Sequence, residues 1–325
     1  MEIIKELGHG MYGTIYKIKE NGNYYALKIE HILESDLIET LKSPQWREIY
    51  FAKHMNKLYK DQFMKLYSYE IIENCKHKQK YTIDTKHIDK YFRNKFDKLA
   101  ESKYCIQKKY ELIDGTIKEI ISKLNEKEKY SILAQLAGII KIMEKHKYLH
   151  GDFHHANIGY VKTNKKYVTI LGNKIPTNGY IIKAIDYGSI LHKSFDMTKM
   201  EKNKYKTNFT KEFMSVVNTV MIDRTNFFDY ADANNIKLID NKDKKKILNS
   251  QLKNMVYKYT TNPDTIFILV DILFPIEFQK IILGKQYKEH IEVSNYYNDI
   301  DVIYFAENKF NLDKIIKYCL IKLSI

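Results

Sequence analysis

The chain of 325 residues is poor in cysteine and arginine and has no long apolar run. Its three cysteines, Cys75, Cys105 and Cys319, lie far apart. They are expected to make neither a disulfide framework nor a zinc pattern, and so small and odd a number suits a reducing compartment. Arginine occurs only as Arg47, Arg93 and Arg224 among 54 basic residues. The net charge of +14 invites a nucleic-acid reading, yet readers of base sequence lean on arginine for bidentate contacts. Lysine, isoleucine, asparagine and tyrosine are abundant together, which points to AT-rich coding. The charge is therefore read as a solvated lysine surface that attracts acidic partners, with no specific nucleic acid. The most apolar run, residues 266–276, contains Asp271 and Pro275 and is too short to span a bilayer. It is read as a buried helix, and no membrane partner is expected. A glycine motif that begins by Gly8 leaves no room for a secretory signal, so a cytoplasmic protein is expected.

Two short stretches carry the chemistry. One is His150-Gly151-Asp152-Phe153-His154-His155-Ala156-Asn157; the other is Asp186-Tyr187-Gly188. An Asp followed five residues on by an Asn, then by an Asp in a D-aromatic-G turn, is a base-and-metal set suited to phosphoryl transfer. Asp152 can accept a hydroxyl proton. Asn157 and Asp186 offer the hard oxygen ligands that Mg²⁺ prefers. A zinc reading of His150, His154 and His155 is set aside, because zinc needs three or four convergent ligands and no cysteine lies near in sequence. His150 is read as a brace of the loop.

The N-terminus adds an independent signal. Gly8-His9-Gly10-Met11-Tyr12-Gly13-Thr14-Ile15 reads G-x-G-x-x-G-x-I between β-prone stretches. Its glycines let backbone N–H groups approach phosphate oxygens. A dinucleotide-binding fingerprint would open into a helix here. Instead a strand, a turn at Asn21-Gly22-Asn23 and a second strand Tyr24-Tyr25-Ala26-Leu27-Lys28 follow. A helical run is expected from Glu48 to about Tyr59, with Ile49, Phe51, Ala52 and Met55 on its apolar face. Glu48 is placed to pair with Lys28.

In order, these features are a glycine loop, A-x-K, a helix Glu, H-x-D-x-x-x-x-N and D-x-G. Over residues 2–188 the chain therefore resembles the eukaryotic-type protein kinase superfamily. On Ile175-Pro176-Thr177-Asn178-Gly179-Tyr180-Ile181-Ile182 leading into Ile185-Asp186-Tyr187-Gly188, it is most similar to the divergent serine/threonine kinases of large DNA viruses. The resemblance implies an α+β, bilobal fold: a β-rich N-lobe with one main helix over residues 1–113, and a mostly helical C-lobe over 114–325. A Lys-rich stretch at about 75–102, helical around 91–100, reads as an insertion in the first lobe. A viral protein of the host cytoplasm or the virion is implied.

The same resemblance assigns roles. ATP would be held by Gly8, His9, Gly10, Met11, Tyr12, Gly13, Ile15, Ala26 and Lys28, with Glu111 and Ile113 at the hinge and Asp114 at the ribose. Tyr110 would control access behind the adenine. Lys28, held by Glu48, would bind the α- and β-phosphates. Asp152 would be the base, His154 would replace the usual lysine at the γ-phosphate, and Asn157 and Asp186 would hold Mg²⁺, with Mn²⁺ as the alternative ion. Tyr187 stands for the usual Phe and brings a hydroxyl to satisfy. The implied activity is transfer of the γ-phosphate to Ser/Thr hydroxyls of a protein, which the basic surface suggests is acidic.

Gly151 departs from the Arg of H-R-D, and neither A-P-E nor D-x-W-x-x-G is present. H-G-D-x-H also resembles the small-molecule phosphotransferases of the aminoglycoside and choline kinase type. That activity and a pseudokinase scaffold are the two alternatives. The sequence further predicts a strand at 63–67, another at 105–110, an apolar helix over 126–147, an extra hairpin or loop at 162–174, and helices at 210–221 and 242–259.

Overall fold

The computed structural model describes residues 1–9, 13–77, 98–99, 101–153, 155–206 and 312–324. The predicted helices at 210–221 and 242–259, the apolar run at 266–276, and most of the insertion lie outside the described residues. The fold is mixed α+β. The chain divides into two compact units: Met1–Asp114 with Lys183–Thr198, and Gly115–Ile182 with the chain from Lys199 onward. The sequence reading places one cut, at 113/114; the boundary falls between Asp114 and Gly115, and 183–198 return to the first unit.

The first unit is built on a five-stranded antiparallel sheet of order β1-β2-β3-β5-β4. Its strands are β1 (Glu2–His9), β2 (Thr14–Glu20), β3 (Asn23–His31), β4 (Leu66–Glu73) and β5 (Tyr104–Glu111). The β2–β3 turn places Asn21 and Gly22 at φ 49° and 78°. That is the two-residue geometry whose twist matches the flanking strands, and Asn-Gly is the pair that adopts it most readily. The predicted strand at 63–67 begins later, at Leu66, and Phe63 makes only an isolated bridge to Ala184.

Helix α1 (Pro44–Leu58) starts four residues before the predicted Glu48. Ser43 with extended backbone, followed by Pro44 at the first helical position, is a standard start signal. The apolar periodicity alone could not show it. Trp46 and Ile49 pack with Ile32, Tyr104 and Ile106 on the sheet. Phe51 meets the rings of Phe63 and Tyr187 at 5.6 and 4.7 Å. Ile49, Phe51 and Met55 are fully buried, each worth roughly 1.5–3 kcal/mol relative to exposure. This packing fixes the rotation of α1, and with it the direction of Glu48.

The second unit opens with β6 (Gly115–Thr116) and the short α2 (Ile117–Ile120). Helix α3 (Glu126–Lys145) begins at a reciprocal cap: Glu128 N donates to Asn125 Oδ1 at 2.9 Å, and Asn125 N donates to Glu128 Oε2 at 2.7 Å. Ile132, Leu133, Leu136, Ile139, Ile140 and Met143 are buried along it. Then follow β7 (Tyr148–Leu149), β8 (Ile158–Lys162), β9 (Tyr167–Ile170), β10 (Asn173–Pro176) and β11 (Tyr180–Ala184). Strands β9 and β10 form the extra hairpin expected at 162–174. It lies against α3 at Gly138, where a Cβ would stand 2.6 Å from Ile170 Cγ2. Buried Gln135 ties α3 to β11 by accepting from Ile182 N at 2.9 Å and donating to Tyr180 O at 3.0 Å. Past β12 (Leu191–His192), which belongs to the first unit, the second resumes with α4 (Lys199–Lys206) and α5 (Leu312–Leu323). Helix α5 buries Ile315, Ile316 and Cys319, and its Tyr318 ring meets Tyr130 of α3 at 6.0 Å. No helix among the described residues is long and apolar enough to cross a membrane.

One expectation is overturned. Cys75 and Cys105 form a disulfide, with Cα atoms 5.6 Å apart. Thirty residues separate them in sequence, so spacing carried no hint. The β4–β5 pairing sets Ile72 opposite Cys105, and Cys75 N then donates to Lys103 O at 2.8 Å. Cys319 remains a buried free thiol.

Candidate active site

The first unit gathers five charged side chains. Strand β3 alternates so that Lys28 and Glu30 share a face; α1 brings Glu48 to it and β5 brings Lys108. Lys28 Nζ lies 3.1 Å from Glu48 Oε2, 3.0 Å from Glu30 Oε1 and 3.0 Å from Asp186 Oδ1. Lys108 Nζ contacts both Glu30 and Glu48, and Tyr110 Oη donates to Glu48 Oε1 at 2.9 Å. Glu30, Glu48 and Lys108 have side chains at most 1 % exposed, whereas Asp186 is 45 % exposed. The cluster is therefore dry at its base and open to solvent at the Asp186 carboxylate.

Charges so close in so dry a place must be read together. Lys28 and Lys108 stand directly opposite in the β3–β5 ladder, a like-charge pair that would repel without Glu30 and Glu48 between them. Burial pushes the Lys28 ammonium down, but Asp186, Glu30 and Glu48 outweigh it and hold Lys28 well above the ordinary lysine value. Burial pushes the Glu48 carboxyl up, while Lys108 and Lys28 pull it below its ordinary value. Burial and the Glu48 charge keep Tyr110 a neutral phenol. Lys28 is thus a fixed cation and Glu48 a fixed anion over the working range.

Asp186 has φ 55° and ψ 79°, a left-handed backbone that costs an ordinary residue of order 1–3 kcal/mol. Asp tolerates it better than most. Tyr187, next in the turn, is fully buried. Its hydroxyl donates to Ala184 O at 2.6 Å and accepts from Met64 N at 2.7 Å. Both ends of that hydroxyl are thereby satisfied within the unit.

The glycine motif is seen in part. Gly8 and His9 close β1, and His9 Nδ1 lies 3.1 Å from Glu6 Oε1. Gly10, Met11 and Tyr12 lie outside the described residues. A Cβ at Gly13 would sit 2.4 Å from Ile29 O, so no larger residue fits without moving β3. Ile15 pairs across to Lys28, and buried Ala26 to Tyr110. Glu111 ends β5 with Oε2 3.1 Å from Lys183 Nζ. Ile113 and the exposed Asp114 follow it at the edge of the unit.

The second unit holds the other set. After β7, His150 is fully buried with its ring 4.8 Å from Phe153. Gly151 takes φ 79°, a left-handed position that suits glycine. Asn157 Nδ2 donates to Asp152 O at 2.8 Å and to Asp152 Oδ2 at 3.3 Å. The five-residue offset is thus a closed loop, and the amide end of Asn157 is turned to Asp152. The end of Asn157 with metal-binding chemistry is Oδ1. His154 lies outside the described residues.

Sequence reasoning placed Lys28 and Glu48 together and missed Glu30 and Lys108. A signal existed: the period of two in Ala-Leu-Lys-Ile-Glu sets Lys28 and Glu30 on one face, and in Ile-Gln-Lys-Lys-Tyr it sets Lys108 with Ile106 and Tyr110. Only the β3–β5 register joins the two faces. Comparison with protein-family models and with curated proteins returns no match to this chain.

Proposed function

We propose that this chain is an ATP- and Mg²⁺-dependent kinase that transfers the γ-phosphate to serine or threonine hydroxyls of a protein. The observation that carries the reading is the buried Lys28, held at once by a helix carboxylate and by Asp186 of the D-Y-G turn at 3.1 and 3.0 Å. A lysine serving only as structure needs no exposed, strained carboxylate as its third partner.

The chemistry of the donors suits the group that the reading requires: Asp186 of the first unit offers a carboxylate oxygen and Asn157 of the second a carboxamide oxygen, each a hard ligand of the kind Mg²⁺ takes. When bound, that ion neutralises phosphate charge. Lys28 stays an ammonium because three carboxylates surround it, so it meets the α- and β-phosphates as a fixed charge without reorganising. Glu48 sets where that charge sits. Asp152 accepts the proton of the attacking hydroxyl, and its amide partner Asn157 fixes its orientation. Phosphoryl transfer asks mainly for positioning and neutralisation, which this set supplies. The surplus of lysine favours an acidic acceptor protein, and a cytoplasmic setting belongs to the same reading.

The test is a panel of acceptors with labelled ATP: acidic and basic proteins, amino alcohols and aminoglycosides. Label on serine or threonine of a protein supports the proposal. Label only on a small amine alcohol replaces it with a small-molecule phosphotransferase. Nucleotide binding without transfer to any acceptor replaces it with a binding scaffold.

A further inference from the structure

At the far end of the same sheet a second cluster has no part in that chemistry. His31 closes β3, Cys105 stands directly opposite it on β5, and Cys75 follows β4. One ligand atom of each residue lies within 4.8 Å of the others. Cys105 and His31 are buried, and Cys75 is half-buried.

The imidazole geometry points to a missing positive charge. His31 Nε2 lies 2.8 Å from the carbonyl oxygen of His77, so this nitrogen carries a proton and donates it. In the neutral ring the other nitrogen, Nδ1, is then a lone pair. Yet Nδ1 faces the Ser102 carbonyl oxygen at 3.1 Å and Cys105 Sγ at 3.8 Å. A lone pair aimed at a carbonyl oxygen and a sulfur is repulsive unless a proton or a metal ion sits among them. A ring N–H given to a backbone carbonyl is also the usual outer support of a metal-bound histidine, because it fixes the tautomer and the ring plane.

A second observation concerns His77, two residues after Cys75. Its ring stacks on that of His31, with centroids 6.1 Å apart and planes 30° from parallel. His77 Nε2 is buried and has no hydrogen-bond partner among the described residues. Ligand atoms of Cys75, Cys105 and His31 already converge; His77, stacked beside them, would complete a two-sulfur, two-imidazole zinc set, with about 2.3 Å to sulfur and 2.0–2.1 Å to nitrogen, by turning its ring toward them.

We propose that the reduced form of this cluster binds one zinc-class divalent cation through Cys75, Cys105, His31 and His77, and that the disulfide is its oxidised, metal-free form. A dithiol reductant opens the bond: it becomes a disulfide itself and leaves two protein thiols. Metal binding then expels one proton from each thiol and gives two thiolates. In a reducing compartment the metal-bound form is the resident one. The bound ion would tie β3, β5 and the segment after β4 together where the disulfide otherwise does. The inference is independent of the kinase reading.

The experiment uses the full chain, reduced with a phosphine, stripped by a chelator and titrated with Co²⁺, then with Zn²⁺. The expected result is one equivalent of Co²⁺ with thiolate-to-cobalt charge-transfer absorption and tetrahedral d–d bands, all displaced by Zn²⁺. Cys75→Ser and Cys105→Ser should each lose the charge-transfer band of a two-thiolate site. His31→Gln and His77→Gln should each weaken binding about ten-fold or more. Cys319→Ser should change nothing, since Cys319 belongs to the other unit. Should Cys105→Ser fail to fold, Cys75→Ser at its half-buried position decides. A reduced chain with native circular dichroism, no charge-transfer band and both thiols open to alkylation in excess metal overturns the proposal. Unchanged affinity in His77→Gln overturns its four-donor form.

Discussion

Removing Lys108 should damage this protein far more than its absence from the motifs suggests. The buried set Lys28, Lys108, Glu30 and Glu48 is neutral by itself, with Asp186 standing at its open edge. Lys108→Met keeps the aliphatic bulk but leaves one excess negative charge among side chains at most 8 % exposed. Breaking a buried ion pair from one side costs about 3–5 kcal/mol, a large share of the 5–15 kcal/mol typical of a domain. Glu30→Met has the opposite imbalance. The double variant Lys108→Met with Glu30→Met restores neutrality around Lys28 and Glu48, so it should lose less than either single change, with a coupling of at least about 2 kcal/mol.

The single tryptophan makes the assay local. Trp46 is buried on α1, two residues before Glu48, so its fluorescence follows the first unit during urea unfolding. With m of about 2–3 kcal/mol/M, the Lys108→Met midpoint should fall by about 1–2.5 M at unchanged m. The acid limb should move as well. Burial opposes the ionised Glu48, while Lys108 and Lys28 overcome it and lower its pKa. Its contribution is complete above the unfolded carboxylate value of about 4.3 and is lost as pH falls through the lower folded value. Without Lys108 that loss should begin at higher pH. Additive single changes, or a Lys108→Met cost below about 1 kcal/mol, would refute the reasoning.

Other outcomes follow from the same geometry. On the kinase reading Lys28→Met should abolish transfer and, because it leaves the same excess negative charge as Lys108→Met, cost a comparable amount, about 3–5 kcal/mol; unfolding and labelled-ATP assays on one preparation check both. Asp186→Asn should abolish transfer and weaken Mg²⁺-dependent nucleotide binding, whereas Asp152→Asn should abolish transfer and leave nucleotide affinity intact, as equilibrium binding and turnover would report. Gly151→Ala should cost about 1–2 kcal/mol in urea unfolding, since φ 79° is unfavourable for a residue with a Cβ. Reducing Cys75–Cys105 without metal should cost about 3–4 kcal/mol for a loop of 30 residues, read as a Trp46 midpoint with and without reductant.

What the sequence showed, and what it hid, divides by range. The Asn21-Gly22 turn, the strand at Cys105–Tyr110 and the apolar period of α3 are local patterns, and each element stands where its pattern lies. Lys28 and Glu48, twenty residues apart, share no local pattern, and in the sequence only the family resemblance joins them. The start of α1 was missed although Ser43-Pro44 announced it, because the apolar period was read without the cap. Glu30 and Lys108 were hidden for a different reason: a charged residue in a strand reads as solvent-facing until the register gives it a partner. The same holds for His31, Cys75 and Cys105, whose contacts exist only through the β3–β5 and β4–β5 ladders.

Strand β5 carries Cys105, Lys108 and Tyr110 in one run, and its Lys108 and Tyr110 both hold Glu48. Cys105 precedes Lys108 by three residues, roughly 10 Å along a strand. A staple at Cys105, whether disulfide or metal, limits sliding of β5 against β3 and so preserves the register that sets Lys108 opposite Lys28. A one-residue slip would turn Lys108 to the other face and set Gln107 or Lys109 opposite Lys28 in its place. The register of β5 is therefore a structural condition on where Glu48, and through it Lys28, is held.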